Sequence, residues 1–184
     1  PITVTSTNGF SGYKIGLILT LENTISSNYN LTNASSGTIN FSGEKSIGIQ
    51  IFAPGFSADV VALNEGNIVM NGKDSYGMKI SSQITPANSK FENTSTGTIT
   101  VGGAGGNSSG MAKLTDVNFD SGNLVKNNGI INVSGDKNSG MFLKSDNNDI
   151  FTSTNKINVT GGNDNAGMRI ESNAGTAGIQ KGVN

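Results

Sequence analysis

A short motif recurs along this chain at intervals of about thirty residues. It has the form Ile-x-(Val/Phe/Met)-x-Gly and occupies residues 39–43, 68–72, 99–103, 131–135 and 157–161. An earlier copy without the glycine starts at Ile2. Repeats of this length build solenoids, because each unit can bury its apolar face only against its neighbours.

Two further segments follow each motif. The second is a glycine followed by apolar residues at alternate positions, and its copies are residues 16–19, 48–51, 77–80, 110–113, 140–143 and 167–170. The third places an apolar residue shortly before Asn, clearly in 31–33, 91–93 and 125–127 and in degenerate form in 61–64, 150–155 and 179–184. Alternation with a period of two indicates strands with one buried face. Three strands per repeat predict one coil of a β-helix.

The predicted fold is therefore all-β: a right-handed, single-stranded parallel β-helix of about six three-strand coils. The handedness follows from the right-handed rule for parallel crossovers. We expect one β-helical segment of a longer exported protein over residues 1–184, with coils at roughly 1–34, 35–64, 65–94, 95–128, 129–154 and 155–184.

Stacking predicts columns of equivalent apolar side chains inside the tube. The first column is Ile2, Ile39, Ile68, Ile99, Ile131 and Ile157. The second is Val4, Phe41, Met70, Val101, Val133 and Val159. The third is Leu17, Ile49, Met78, Met111, Met141 and Met168, where methionine acts as an adaptable core residue. Lys113 breaks the apolar pattern, so we expect Leu114 to enter through a bulge. Turn glycines are expected to supply positive φ at the corners.

Composition excludes several kinds of function. With 12 Lys+Arg against 13 Asp+Glu, the net charge is -1, which gives no electrostatic case for nucleic acid. The absence of His and Cys removes the commonest general base, a Ser-His-Asp triad and thiolate metal sites. No apolar run approaches the ~20 residues that span a bilayer. We expect no enzyme activity, no cofactor, no bound metal and no membrane insertion by this segment.

An acidic residue recurs at the corner after the first strand in four of the repeats. These residues are Glu44, Asp74, Asp136 and Asp164. Lys45, Lys73 and Lys137 lie beside them. A ladder of these carboxylates would serve catalysis or cation binding, since polysaccharide-active enzymes need several acidic groups on one face. We expect a solvated corner of alternating charge, and the catalytic or cation-binding ladder is the alternative.

The units at residues 37–49 and 129–141, with Gly-x-Ile-x-(Phe/Val)-x-Gly followed by Gly-(Ile/Met), resemble passenger domains of bacterial type V autotransporters. They look most like the large outer-membrane adhesins of fusobacteria. The resemblance covers nearly the whole chain. It implies export through a C-terminal barrel, display on the bacterial cell surface or outside it, and a role in adhesion and virulence.

Loops on a rigid scaffold are the usual place for binding. The candidate ligand-binding residues are Phe52, Phe56, Gln83 and Phe119, in the variable segments after the second strand of each coil. Phe56 and Phe119 are either exposed anchors or loop plugs. The expected partners are a host cell-surface protein, a glycan or another bacterium. The alternative function is a structural spacer that self-associates head to tail, and a less favoured one is a polysaccharide-active enzyme.

Overall fold

The structure is a computed structural model that describes residues 3–6, 13–20, 29–52, 60–81, 89–103, 105–114, 125–144 and 151–171. These residues form strands β1 to β17 and contain no helix. In the described part of the chain, therefore, no helix has the length and apolar character needed to cross a membrane.

The strands lie in three parallel sheets. The first sheet has the order β1 (Thr3–Ser6), β4 (Thr38–Phe41), β7 (Asn67–Met70), β10 (Thr98–Val101), β13 (Ile130–Val133) and β16 (Ile157–Val159). The second sheet has the order β2 (Lys14–Thr20), β5 (Ser46–Phe52), β8 (Tyr76–Ile80), β11 (Ser109–Leu114), β14 (Ser139–Lys144) and β17 (Ala166–Glu171). The third sheet has the order β3 (Tyr29–Asn33), β6 (Val60–Asn64), β9 (Lys90–Asn93), β12 (Val125–Asn127) and β15 (Phe151–Ser153).

Each strand pairs with the strand three places away in the chain. Each coil gives one strand to every sheet, except that the last described coil gives strands to the first two sheets. This is a β-solenoid with three sheets, and it confirms the predicted parallel β-helix.

Equivalent apolar side chains stack inside the tube. Ile39, Ile68, Ile99 and Ile131 pair in register and are at most 2% exposed. The same holds in the second sheet, where Met78, Met111 and Met141 form a fully buried file. Ile157 and Met168, in the last described coil, are partly buried. Burying each such side chain stabilises the fold by roughly 1.5–3 kcal/mol, which explains why a chain that is only 34% hydrophobic forms a core.

The expected register between β1 and β4 is wrong. Val4 pairs with Ile39, not with Phe41, so β1 is displaced by two residues from the expected alignment with β4. A slip of two residues keeps the same residues facing the same side of the sheet, so the sequence pattern does not distinguish these alignments. Ile2 lies outside the described residues.

The bulge expected at Leu114 is also absent. Lys113 pairs with Ile80 on one side and Leu143 on the other, and it is 1% exposed at an interior position. Leu114 pairs with Lys144 instead and packs outside the core. Regular pairing through β11 keeps the ladder of backbone hydrogen bonds intact.

Buried amide side chains connect the coils along the third sheet. Asn33 Nδ2 donates to Asn64 Oδ1, Asn64 Nδ2 to Asn93 Oδ1, and Asn93 Nδ2 to Asn127 Oδ1, each at 2.8 Å. Asn127 Nδ2 donates to Ser153 Oγ at 3.0 Å, so the series ends on Ser153. These are the Asn residues of the third sequence segment, and we call the series the asparagine ladder.

A second polar series marks the corner between the first and second sheets. The backbone N–H groups of Ser46 and Ser75 donate to Ser75 Oγ and Ser108 Oγ. Further along, those of Ser108 and Asn138 donate to Asn138 Oδ1 and Asn165 Oδ1. Each corner therefore satisfies a buried backbone donor of its neighbour.

The residue before each of these polar side chains has positive φ. These residues are Lys45, Asp74, Asn107, Lys137 and Asp164, with φ from 53° to 63°. The expectation that turn glycines supply positive φ is thus only partly right: several glycines do so, including Gly135 and Gly161, but this corner uses other residues.

Candidate functional site

The second sheet carries an apolar layer on its outer face. Ala112 and Phe142 follow core-facing methionines, so the alternation of a strand turns them outward. Ile47, Tyr76 and Ala112 form a buried cluster separate from the core, and Ile15, Leu114 and Phe142 pack against it. We call this surface the outer face of the second sheet. The outward residues of the first sheet, by contrast, are mostly Thr and Asn.

Aromatic and cationic side chains lie together on this face. Lys79 Nζ is 4.8 Å from the ring centroids of both Tyr13 and Tyr76, whose own centroids are 6.3 Å apart. Such contacts stabilise a cation over aromatic rings. Burial lowers the pKa of Lys79 and is the main cause that raises the pKa of Tyr76 to about 12.

A groove of about 400 Å³ opens farther along the same face. Its lining residues come from β8, β11, β14, β17 and the corner before β11. They are Tyr76, Asn107, Ser109, Leu114, Ser139, Phe142, Lys144, Arg169 and Glu171. Four neighbouring coils therefore build one continuous concave surface.

Polar and apolar groups alternate within the groove. Ser109 Oγ and Ser139 Oγ form a hydrogen bond of 2.8 Å in its buried part. The guanidinium carbon of Arg169 lies 4.9 Å from the ring centroid of Phe142, and the guanidinium also forms an ion pair with Glu171. The ring thus holds a planar cation at the groove surface.

The groove is locally positive although the chain as a whole has a net charge of -1. Lys144 and Arg169 outnumber Glu171, and Glu171 is the carboxylate paired with Arg169. No ion pair joins Lys144 to a carboxylate among the described residues. This charge favours an anionic group on any ligand that occupies the groove.

Of the predicted ligand-binding residues, Phe52 is the one that the structure describes. It ends β5 and is 42% exposed on the second sheet. Phe56, Gln83 and Phe119 lie outside the described residues, so their role stays a prediction. Leu114 and Lys144 end β11 and β14, so the groove adjoins the points where segments 115–124 and 145–150 begin.

The acidic corner residues do not form one ladder. Glu44 pairs with Lys73 of the next coil at 3.1 Å, and its hydrogen bond and charge raise the pKa of Lys73. Asp74 and Asp164 occupy the positive-φ position that Lys45 and Lys137 hold in other coils. The order of the acidic and basic residues at this corner differs from one repeat to the next. The carboxylates of successive coils therefore do not lie directly over one another. The described residues contain no group of three or more acidic side chains that could hold a metal ion.

Sequence reasoning did not identify the groove. Most of its lining residues lie in the second strand of each coil, for which the sequence pattern singled out the inward positions and not the outward ones. The available signal was Phe142, an aromatic residue at the position where equivalent coils have Lys79 and Arg169.

No family model, no curated protein and no solved structure matches this chain.

Proposed function

We propose that this chain is an extracellular adhesin segment displayed on the bacterial surface. In this proposal a rigid β-helical stalk presents a binding face to molecules on host cells or other bacteria. The groove on the outer face of the second sheet carries the proposal, because it combines aromatic, cationic and hydroxyl groups on a regular scaffold. The resemblance to autotransporter passenger domains supports the location.

The scaffold suits such a role. Every described strand is paired in a parallel sheet, and the asparagine ladder adds buried hydrogen bonds between coils. Side chains held on strands keep a more constant geometry than those on loops. A preorganised surface loses less entropy when a ligand binds.

The proposal is tested by measuring attachment of the purified chain to host epithelial cells and to bacteria of other species. We expect saturable attachment that weakens when Phe142→Ala and Arg169→Ala are combined. The matched control combines Thr100→Ala and Asn132→Ala on the outward side of the first sheet, and it should attach like the wild-type chain. Absence of attachment to every surface would refute the adhesin role.

A structural spacer is the second candidate. The continuous interior columns and the asparagine ladder favour it, because they stiffen the tube along its axis without any need for a ligand. This function predicts filaments that lengthen with protein concentration in electron micrographs, and indifference to changes in the groove. A chain that stays monomeric and attaches to cells through the groove argues against it.

A further inference from the structure

We propose that the groove on the outer face of the second sheet binds an acidic oligosaccharide, with the sugar carboxylate at Lys144 and Arg169. This inference deepens the adhesin function and rests on it, because it names the class of ligand. It follows from the side chains that line the groove, from its positive charge, and from the fact that strands β11 and β14 beneath it are already paired on both sides.

The cationic end fits a carboxylate. A guanidinium has five N–H donors in a planar fork, and Glu171 occupies one side of the Arg169 fork. The Phe142 ring orients that fork from a centroid 4.9 Å away. A carboxylate can take the remaining donors in a bidentate arrangement, and Lys144 supplies a second positive charge.

The rest of the groove fits a sugar ring. Leu114 and Phe142 are half-buried and provide an apolar surface for the C–H face of a pyranose. Asn107 is exposed and provides an amide group for sugar hydroxyls, and the hydrogen-bonded hydroxyls of Ser109 and Ser139 form the buried part of the groove. Binding sites for small ligands combine an apolar lining with a few polar groups in this way.

An acidic peptide fits less well. Extended peptides bind sheets by adding a strand to an open edge. At the groove, β11 is paired with β8 and β14, and β14 is paired with β11 and β17. Their backbone groups are therefore engaged within the sheet, and a peptide would have only side-chain contacts.

The test is calorimetric titration of the whole chain with tetragalacturonate and sialyllactose as acidic probes and maltotetraose as the neutral probe. We expect at least one acidic probe to bind about tenfold or more tightly than maltotetraose, and to weaken as salt rises. Lys144→Gln should weaken that binding about tenfold, because it removes one charge from the carboxylate site. Arg169→Lys keeps the charge, removes the planar fork and should weaken binding severalfold.

Lys126→Gln is the matched control, since Lys126 lies in β12 on the third sheet and lines no part of the groove. It should bind like the wild-type chain. The inference is overturned if neither acidic probe binds, if maltotetraose binds equally well, if a Glu-rich peptide binds more tightly than both sugars, or if Lys144→Gln behaves like Lys126→Gln.

Cell attachment separates this inference from the function on which it rests. Attachment that survives both Lys144→Gln and Arg169→Lys would leave the adhesin function standing and refute the groove as its binding site. Tight binding of an acidic probe by a chain that attaches to no cell would refute the adhesin function and leave the groove as a saccharide site.

Discussion

At the scale of single residues, the corner before the second sheet is unusual because L-residues adopt left-handed backbone there. Such a conformation costs roughly 1–2 kcal/mol for most side chains, whereas Asn and Asp tolerate it better. Asp74, Asn107 and Asp164 follow this preference, but Lys45 and Lys137 do not. The two lysines therefore hold local strain that the surrounding hydrogen bonds offset.

Replacing Lys137 with Asn should raise the free energy of unfolding by about 0.5–1 kcal/mol, because Asn adopts φ near 55° at lower cost. Urea denaturation of the two chains measures the difference. Lys126→Asn is the control: it lies in the extended strand β12, and the same change there should be neutral or slightly destabilising. Equal effects at both positions would contradict the argument.

Tyr76 makes stability depend on pH in the alkaline range. Its pKa in the folded state is about 12 against 10.0 for the ordinary group, and burial is the main cause. A raised folded-state pKa means that its contribution is complete below about pH 10 and is lost as pH rises toward about 12, by at most about 2–3 kcal/mol.

Thermal unfolding of the wild-type chain and Tyr76→Phe between pH 9 and about pH 12 tests this dependence. The difference in stability between the two chains should shift in favour of Tyr76→Phe as pH rises. The comparison is needed because burial lowers the pKa of Lys79, which acts in the opposite direction. A difference that does not change with pH would disprove the assignment to Tyr76.

At the scale of elements, the glycine in each strand of the second sheet allows the first and second sheets to approach each other. A Cβ on Gly110 would lie 2.6 Å from Gly140 O and 2.7 Å from Ile131 Cγ2. Gly48, Gly77 and Gly140 meet equivalent atoms of neighbouring coils. At Gly167 the nearest atoms are 3.9 Å and 4.0 Å away, so this last copy has room.

Gly110→Ala should therefore lower the free energy of unfolding by about 1–3 kcal/mol, since a backbone oxygen and a core side chain must move. Gly167→Ala is the matched control at the same position of the repeat, and it should change stability by less than about 0.5 kcal/mol. Chemical denaturation of both variants measures the costs. Similar losses would show that the close approach is not what requires glycine.

The asparagine ladder acts as a unit because each amide is both donor and acceptor. Asn93 receives a hydrogen bond from Asn64 and donates to Asn127, all in the buried part of the third sheet. Asn93→Ala should cost about 2–4 kcal/mol, since it leaves one buried donor and one buried acceptor without their partner.

Asn132→Ala is the control for this change, because the hydrogen bond that Asn132 Oδ1 accepts from Asn158 Nδ2 lies on the exposed side of the first sheet. It should cost less than about 0.5 kcal/mol. Denaturation midpoints of the two variants decide the matter. If the two substitutions cost the same, the ladder is not a source of stability.

At the scale of the whole molecule, each coil contacts mainly its two neighbours, so stability is distributed along the tube. Strands β8 and β11 are paired on both sides, whereas β17 is the terminal strand of its sheet among the described residues. Val159, in the last described coil, is 42% exposed, although its equivalents are fully buried. Local unfolding should therefore occur more readily at a terminal strand such as β17 than at β8 or β11.

Native-state hydrogen exchange tests that gradient. We expect amides of β17 to exchange at least about tenfold faster than amides of β8 and β11, because less pairing must break to expose them. Uniform exchange across these strands would indicate that the coils open together as one cooperative unit.

The repeat alone determined the fold class and most of the interior columns. A period of two in short segments, recurring about every thirty residues, admits few arrangements that bury every apolar face. The Asn of the third segment was also visible in the sequence, although its hydrogen bonds were not. Each of these features depends on spacing along the chain, which the sequence records directly.

The tertiary structure decided the features that depend on neighbouring coils. The register of β1, the inward position of Lys113 and the separation of the corner carboxylates follow from pairing across the stack. The groove joins Phe142 to Arg169, residues of different coils whose contact no single repeat specifies. Local periodicity selects which side of a strand is buried, but only the stacking of coils determines which outward side chains meet.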